Sequence, residues 1–308
     1  MSKEKILKQQ KGSIAAFALA TVFTLIFILG GVFATSTVTR KNQLRTLLKI
    51  KEIYAKVPKL TENVQKPIDT VTSYVGYYAD MEGDGVVDGI IYADLAVGGE
   101  GIWNNDDWSN YQYSAISEGL KEYYVSKTGY EGIFGTKDVL SPMGIGKDRF
   151  YIMSLEDIKD EEHENRFCWY DAAYDDGGKL DKIVATDAND FGSGKENTSY
   201  VMAKWDAEEW GAKNDNGTYN DLWGAIKGEV AKGWFLPSKS EWSAFGDMLC
   251  TKCGVTSKNY NQTFNLGNWY WLSSQYNANY AYHANFDGCC ISGNHVNGNE
   301  CARLSTTF

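Results

Sequence analysis

Between Tyr276 and Cys301 the chain contains no Lys, Arg, Gln, Met or Trp, and a single Glu, Glu300. What is left is polar, uncharged and aromatic: 19 of those 26 residues are Asn, Tyr, His, Asp, Gly, Ser or Cys. Tyr supplies rigid amphipathic area while Ser, Gly and Asn supply adaptable hydrogen bonding, as in an antibody loop. The same composition suits a connection between strands, because Gly and Asn tolerate turn backbones. Histidine is scarce too, with only His163, His283 and His295. Cys250 and Cys253 have the spacing of half a zinc or redox site, but no second Cys/His pair stands at metal-site spacing. That argues against a metal centre, and a disulfide in an exported domain is the other use of such a pair. No cofactor is implied. Basic residues are few after residue 66: residues 67–308 hold 18 Lys/Arg against 37 Asp/Glu, a net charge of −19. So acidic a body argues against nucleic acid as a partner.

Charge of either sign is missing from residues 12–34, GSIAAFALATVFTLIFILGGVFA, which follow Lys3, Lys5, Lys8 and Lys11. A helix of that length spans a hydrocarbon core of about 30 Å. A signal peptide competes, since Val32, Phe33 and Ala34 resemble a small-residue cleavage site, but the apolar run exceeds a usual signal core. The anchor reading divides the chain into a cytoplasmic basic segment (1–11), a transmembrane anchor (12–34), a helical stalk and linker (35–66) and one large domain (67–308). Arg40, Lys41, Arg45, Lys49 and Lys51 beyond the anchor nearly balance the lysines before it, so the basic count does not set the orientation. A short basic start before a large acidic domain rich in Trp and Tyr places the domain outside the cell. Leu47, Ile50, Tyr54 and Val57 recur at helical spacing up to Pro58, as a stalk that self-associates or one that packs on its own domain.

Residues 80–94 carry Asp80, Glu82, Asp84, Gly85 and Asp88 at positions 1, 3, 5, 6 and 9 of a calcium loop, but Ile91 stands where the bidentate Glu belongs. Asp-Gly between apolar runs is also a hairpin signal, with Val86 and Val87 in one strand and Ile90 to Tyr92 in the other. A helix is expected over 109–127, a strand over 149–155, a solvated charge run over 157–164 and a loop over 171–189. Helices follow over 197–210 and 219–231, the second closed by Gly233. Ser238 and Glu241 form a capping box for a helix whose apolar face is Trp242, Phe245 and Leu249. Trp234, Trp242 and Trp271 are expected in the core.

Residues 233–242 (GWFLPSKSEW), then 270–274 (YWLSS), Ala281, Phe286, Arg303 and Leu304, resemble the C-type-lectin-like domains of formylglycine-generating-enzyme relatives and of the variable proteins of diversity-generating retroelements. Their order and spacing are closest to the latter. In that group, adenines of a template are randomised, so Asn codons become codons for Tyr, His, Asp, Ser, Cys, Gly, Leu and others but never for Lys, Glu, Gln, Met or Trp. The tail follows that rule except at Glu300, which the resemblance makes an invariant position, as it makes Arg303 an invariant scaffold residue. Residues 11–13 further resemble a type IV prepilin cleavage site, although Phe17 stands where those proteins carry Glu.

The resemblance implies an α+β, C-type-lectin-like domain behind a transmembrane helix and short helical stalk, with a strand over 89–96 pairing with a terminal strand over 301–308. It also implies a membrane-anchored, surface-displayed protein that binds a protein or carbohydrate ligand. Expected contact residues are Asn277, Asn279, Tyr280, His283, Asn285, Asp287, Cys289, Cys290, Ser292, Asn294, His295, Asn297, Asn299 and Cys301. Period-2 alternation turns Tyr282, Ala284 and Phe286 inward and His283, Asn285 and Asp287 outward. Likewise it turns Ala302, Leu304 and Phe308 inward and Cys301, Arg303 and Ser305 outward. A minor pilus subunit, self-assembling through its N-terminal helix, is the alternative. Enzymatic activity is not expected: the formylglycine-generating chemistry needs an Arg-Gly-Gly-Ser-like segment, and none is present.

Overall fold

The computed structural model describes residues 65–105, 107–174, 180, 189–215 and 217–308. The anchor, the prepilin-like site and the stalk up to residue 64 lie outside them. Among the described residues no helix is long and apolar enough to cross a membrane. The architecture is α+β. Eleven strands are described: β1 (Tyr78–Ala79), β2 (Gly89–Asp94), β3 (Gly99–Ile102), β4 (Asn110–Tyr113), β5 (Glu122–Gly132), β6 (Gly135–Met143), β7 (Phe150–Ser154), β8 (Trp269–Asn277), β9 (Tyr280–Asn285), β10 (Cys290–His295) and β11 (Ser305–Thr307). The helices are α1 (Gly194–Asp206), α2 (Leu222–Val230), α3 (Lys239–Met248) and α4 (Tyr260–Thr263).

A six-stranded sheet runs β11-β7-β2-β1-β6-β5, a three-stranded sheet runs β10-β9-β8, and β3 pairs with β4. The expected direct pairing of the early and terminal strands is corrected by one position. β7 lies between them, with Ser305 opposite Met153 on one side and Ile90 opposite Met153 on the other. Both faces of the large sheet are covered. Ile90 and Met153 face one apolar cluster with α3, while Ile91, Phe150 and Ile152 face another with Tyr123 and Phe308. A strand buried on both faces reads as a continuous apolar run rather than an alternation.

The expected helix over 109–127 is corrected to β4, a connection and β5. Tyr111 and Tyr113 sit two apart and stack on one side of β4, with ring centroids 6.3 Å apart and planes 17° apart. Gly119 takes a left-handed φ of 80°, which interrupts any helix there. Residues 80–88 form the connection of the β1–β2 hairpin, so its first strand is Tyr78–Ala79 and not the Val86-Val87 pair. Asp80 accepts from the N–H groups of Gly83 (2.7 Å), Asp84 (3.1 Å) and Gly85 (3.0 Å) and from the Ser141 hydroxyl (3.1 Å). Asp88 accepts from Met81 N–H. These carboxylates close the loop on itself.

The helical expectations after residue 190 hold with shifted ends. Gly233 (φ 99°) closes α2 with the bond pair of a Schellman motif, Trp234 N–H to Glu229 O and Gly233 N–H to Val230 O. The capping box opens α3: Ser238 Oγ accepts from Glu241 N–H while a Glu241 carboxylate oxygen accepts from Ser238 N–H at 2.6 Å. Trp242 and Trp271 are fully buried and Trp234 is half-buried. Cys250 and Cys253 lie in a π-turn that continues α3, and neither is in a disulfide. Two buried arginines tie distant segments together. Arg149 forks onto Asp94 with two 2.8 Å bonds and reaches the carbonyls of Asp69 and Thr72. Arg303 bonds Asp157, which also accepts from the Tyr270 hydroxyl. Asp157 therefore belongs to this internal network and not to a solvated charge run, and Arg303 points inward, opposite to the alternation expected for the last strand. Ser305 is buried as well, between Tyr92 and the Ile152 carbonyl.

Candidate binding face

The tail folds as a three-stranded meander whose turns are written by Asn and Gly. Asn277 Oδ1 accepts from Asn279 N–H in the β8–β9 connection, and Asn285 Oδ1 accepts from Gly288 N–H in the β9–β10 connection. Such side-chain bonds imitate a backbone turn. Register is continuous from Cys290 opposite Asn285 to His295 opposite Tyr280. Among the described strands β10 is the edge of its sheet.

Alternation holds on one face. Tyr282, Ala284 and Phe286 all enter the cluster with α3, where the Phe286 ring meets those of Trp103, Trp242, Tyr260 and Tyr270. The other face is not the open surface expected. His283 and Asn285 are each 6% exposed. Trp269 from β8 stacks on His283 at 4.0 Å, and Ala281 packs with Trp271 in the cluster built on α1 and α2. His283 and Asn285 are thus corrected from contact residues to internal ones, and so is Cys289, whose thiol lies 3.3 Å from the Phe286 carbonyl. Burial pushes the Cys289 thiol up to about 11 and the Cys301 thiol up to about 12, so both stay protonated and weakly nucleophilic near neutrality.

Of the expected contact residues, Asn277, Asp287, Ser292 and Asn297 are exposed, and Asn279, Tyr280, Cys290, Asn294, His295, Asn299 and Cys301 are half-buried. They do not form one patch by themselves. Rings gather the β8–β9 end. Tyr276, 44% exposed, stands edge-on to Tyr280 and Tyr282 with centroids 6.2 and 5.1 Å away. The Tyr280 ring lies 4.1 Å from His295, with its hydroxyl 2.8 Å from Nε2, and Tyr174 meets His295 edge-on at 4.8 Å. Gly293 is required here, because a Cβ on it would sit 2.9 Å from the Tyr276 ring.

Sequence reasoning missed four members of this face. Tyr276 and Tyr282 belong to the tail but lay outside the expected set, and Trp108 and Tyr174 come from distant loops. Trp108 is 56% exposed, and the Lys239 ammonium sits over both its ring (5.8 Å) and that of Tyr282 (5.4 Å), a cation–π arrangement. Nothing local in the sequence marks Trp108 or Tyr174, since only the docking of β3–β4 and of the 169–174 segment against the tail brings them near. A hollow of about 1150 Å³ is lined by Tyr111, Tyr113, Phe191 and Glu100 among others and contains none of the tail residues. Compared with protein-family models, with curated proteins and with solved structures, the chain has no match.

Proposed function

We propose that this chain is a membrane-anchored, surface-displayed binding protein of C-type-lectin-like fold, whose recognition face is the turn-and-edge surface of the β8–β10 sheet and is diversified by a retroelement. One observation carries the reading. Seven residues between Tyr276 and Cys301 fall outside Asn, Tyr, His, Asp, Gly, Ser and Cys, and six of them, Ala281, Ala284, Phe286, Ile291, Val296 and Glu300, are buried; Ala278 sits in a turn. Of the nineteen that belong to that alphabet, only Tyr282, His283, Asn285 and Cys289 are buried. A segment whose polar residues mostly face solvent while its apolar residues face the core can change its surface without changing its fold, because exposed substitutions usually stay within about ±0.5 kcal/mol. The arrival of the last strand in the sheet begun by β1 and β2 supports the lectin-like reading, and the uncharged 12–34 run supports the anchor.

The test is the coding DNA. A near-copy of the segment encoding residues 268–308, differing from it at adenines and lying beside a reverse-transcriptase gene, is expected. A locus with no such copy removes the diversification reading.

A further inference from the structure

The tail also holds a constellation that binding does not require. Ser292, an exposed residue on the edge strand β10, is directly opposite His283 on β9, and its Oγ lies 2.8 Å from His283 Nε2. On the other side of the ring, His283 Nδ1 lies 3.2 Å from the carboxylate of Glu300. An Nδ1–H donated to that carboxylate leaves Nε2 with a lone pair aimed at the Ser292 hydroxyl, the nucleophile–base–orienter arrangement that recurs on unrelated folds. The imidazole is held on every side: Trp269 stacks on it with planes 17° apart, and His283 and Glu300 are almost fully buried. Glu300 is fixed in turn by Asn294 Nδ2 at 2.7 Å and by paired backbone bonds with Phe167. Only the serine reaches solvent.

We propose that Ser292, His283 and Glu300 form an acyl-transfer site that hydrolyses carboxylic esters of small acyl groups. Ser292 Oγ bonds the ester carbonyl carbon while its proton passes to His283 Nε2. The C–O bond to the leaving group then breaks, and the alcohol departs with that proton. Water attacks the acyl-serine, giving its proton to Nε2. Ser292 takes that proton back as the carboxylic acid leaves, so the sum is ester plus water to acid plus alcohol. The oxyanion has a backbone donor at hand. Val296 N–H bonds Asn279 O, so the alternation of an antiparallel ladder turns the Ser292 backbone toward β9 and the Gly293 N–H away from it, next along the chain from the nucleophile. An exposed serine with its base almost fully buried suits a small acyl group presented from solvent with a good alcohol leaving group. It does not suit an amide, whose nitrogen needs stronger protonation.

The full chain is mixed with p-nitrophenyl acetate, following p-nitrophenolate release and the site of acetylation by peptide mass. Turnover is expected, with the acetyl group on the Ser292 peptide. Ser292→Ala, an exposed change that leaves the fold intact, should lower the rate by about 10²-fold or more. Ser292→Cys should retain acyl transfer. Glu300→Gln acts through His283 and should lower the rate and move the acid limb of the pH–rate profile down, a shift that a merely structural role does not produce. The proposal is overturned if the parent chain neither turns over nor acetylates, if Ser292→Ala hydrolyses as fast as the parent, or if the acetyl group is found on lysines, tyrosines or cysteines instead of Ser292.

Discussion

At the scale of single residues, the most telling group is Glu241. It is fully buried, it closes the α3 capping box and it accepts from Gly192 N–H at 3.1 Å as well as from Ser238. Desolvation raises its carboxyl from the ordinary 4.5 to about 7, in opposition to those backbone bonds. A carboxyl raised in the folded state contributes stability that is complete below the unfolded value and is lost as pH rises through about 7. The stability difference between the parent and Glu241→Gln should therefore shrink by up to about 3 kcal/mol between pH 4.5 and pH 8. Denaturant melts of both proteins across that range check it, and a difference that stays constant or grows with pH contradicts the assignment. The carboxylate of the same residue was legible in the sequence as a cap; its burial was not, because burial is set by the α1 approach, where Gly194 packs against it without a side chain.

At the scale of elements, local chemistry and long-range packing divide the work. The Ser238 to Glu241 box and Gly233 specify the end of α2 and the start of α3 by bonds that span only a few residues, so both were readable. Gly233→Ala places a Cβ at φ 99° and should cost about 1–2 kcal/mol without unfolding the domain. Chemical denaturation measures this, and an unchanged midpoint would show that the left-handed backbone there is not what closes the helix. Residues 109–127 went the other way. Their spacing of Tyr, Ile, Leu and Val fits a helix in isolation, yet Tyr111, Tyr113 and Tyr123 are taken up by sheets, where Tyr113 meets Phe191 at 4.5 Å and Tyr123 meets Phe150 at 4.8 Å. Partners more than twenty residues away decide that outcome. Likewise, period 2 assigned the inward face of β9 correctly and failed on the other, since Trp269, Trp271 and Glu300 cover it from neighbouring segments.

At the scale of the whole molecule, the proposed topology has the domain outside the cell and the uncharged 12–34 run in the membrane. The full chain should then sediment with membranes, and protease added to intact cells should digest the portion after residue 64. A chain recovered in the soluble fraction, or a domain protected until lysis, removes that arrangement. The acidic domain body, with a net −19 over residues 67–308, is consistent with a partner other than nucleic acid.

Sequence alone determined the uncharged run, the acidic body, the end of α2 and the start of α3, the inward set Tyr282, Ala284 and Phe286, and the peculiar alphabet of the tail. These rest on composition, periodicity or bonds between near neighbours. Tertiary structure alone decided that β7 separates the early strands from the terminal one, that Trp108 and Tyr174 join the exposed face, and that His283 sits between Ser292 and Glu300. Each of those outcomes depends on which distant segment covers a given face, and a strand carries no record of its neighbours beyond the alternation of its own side chains.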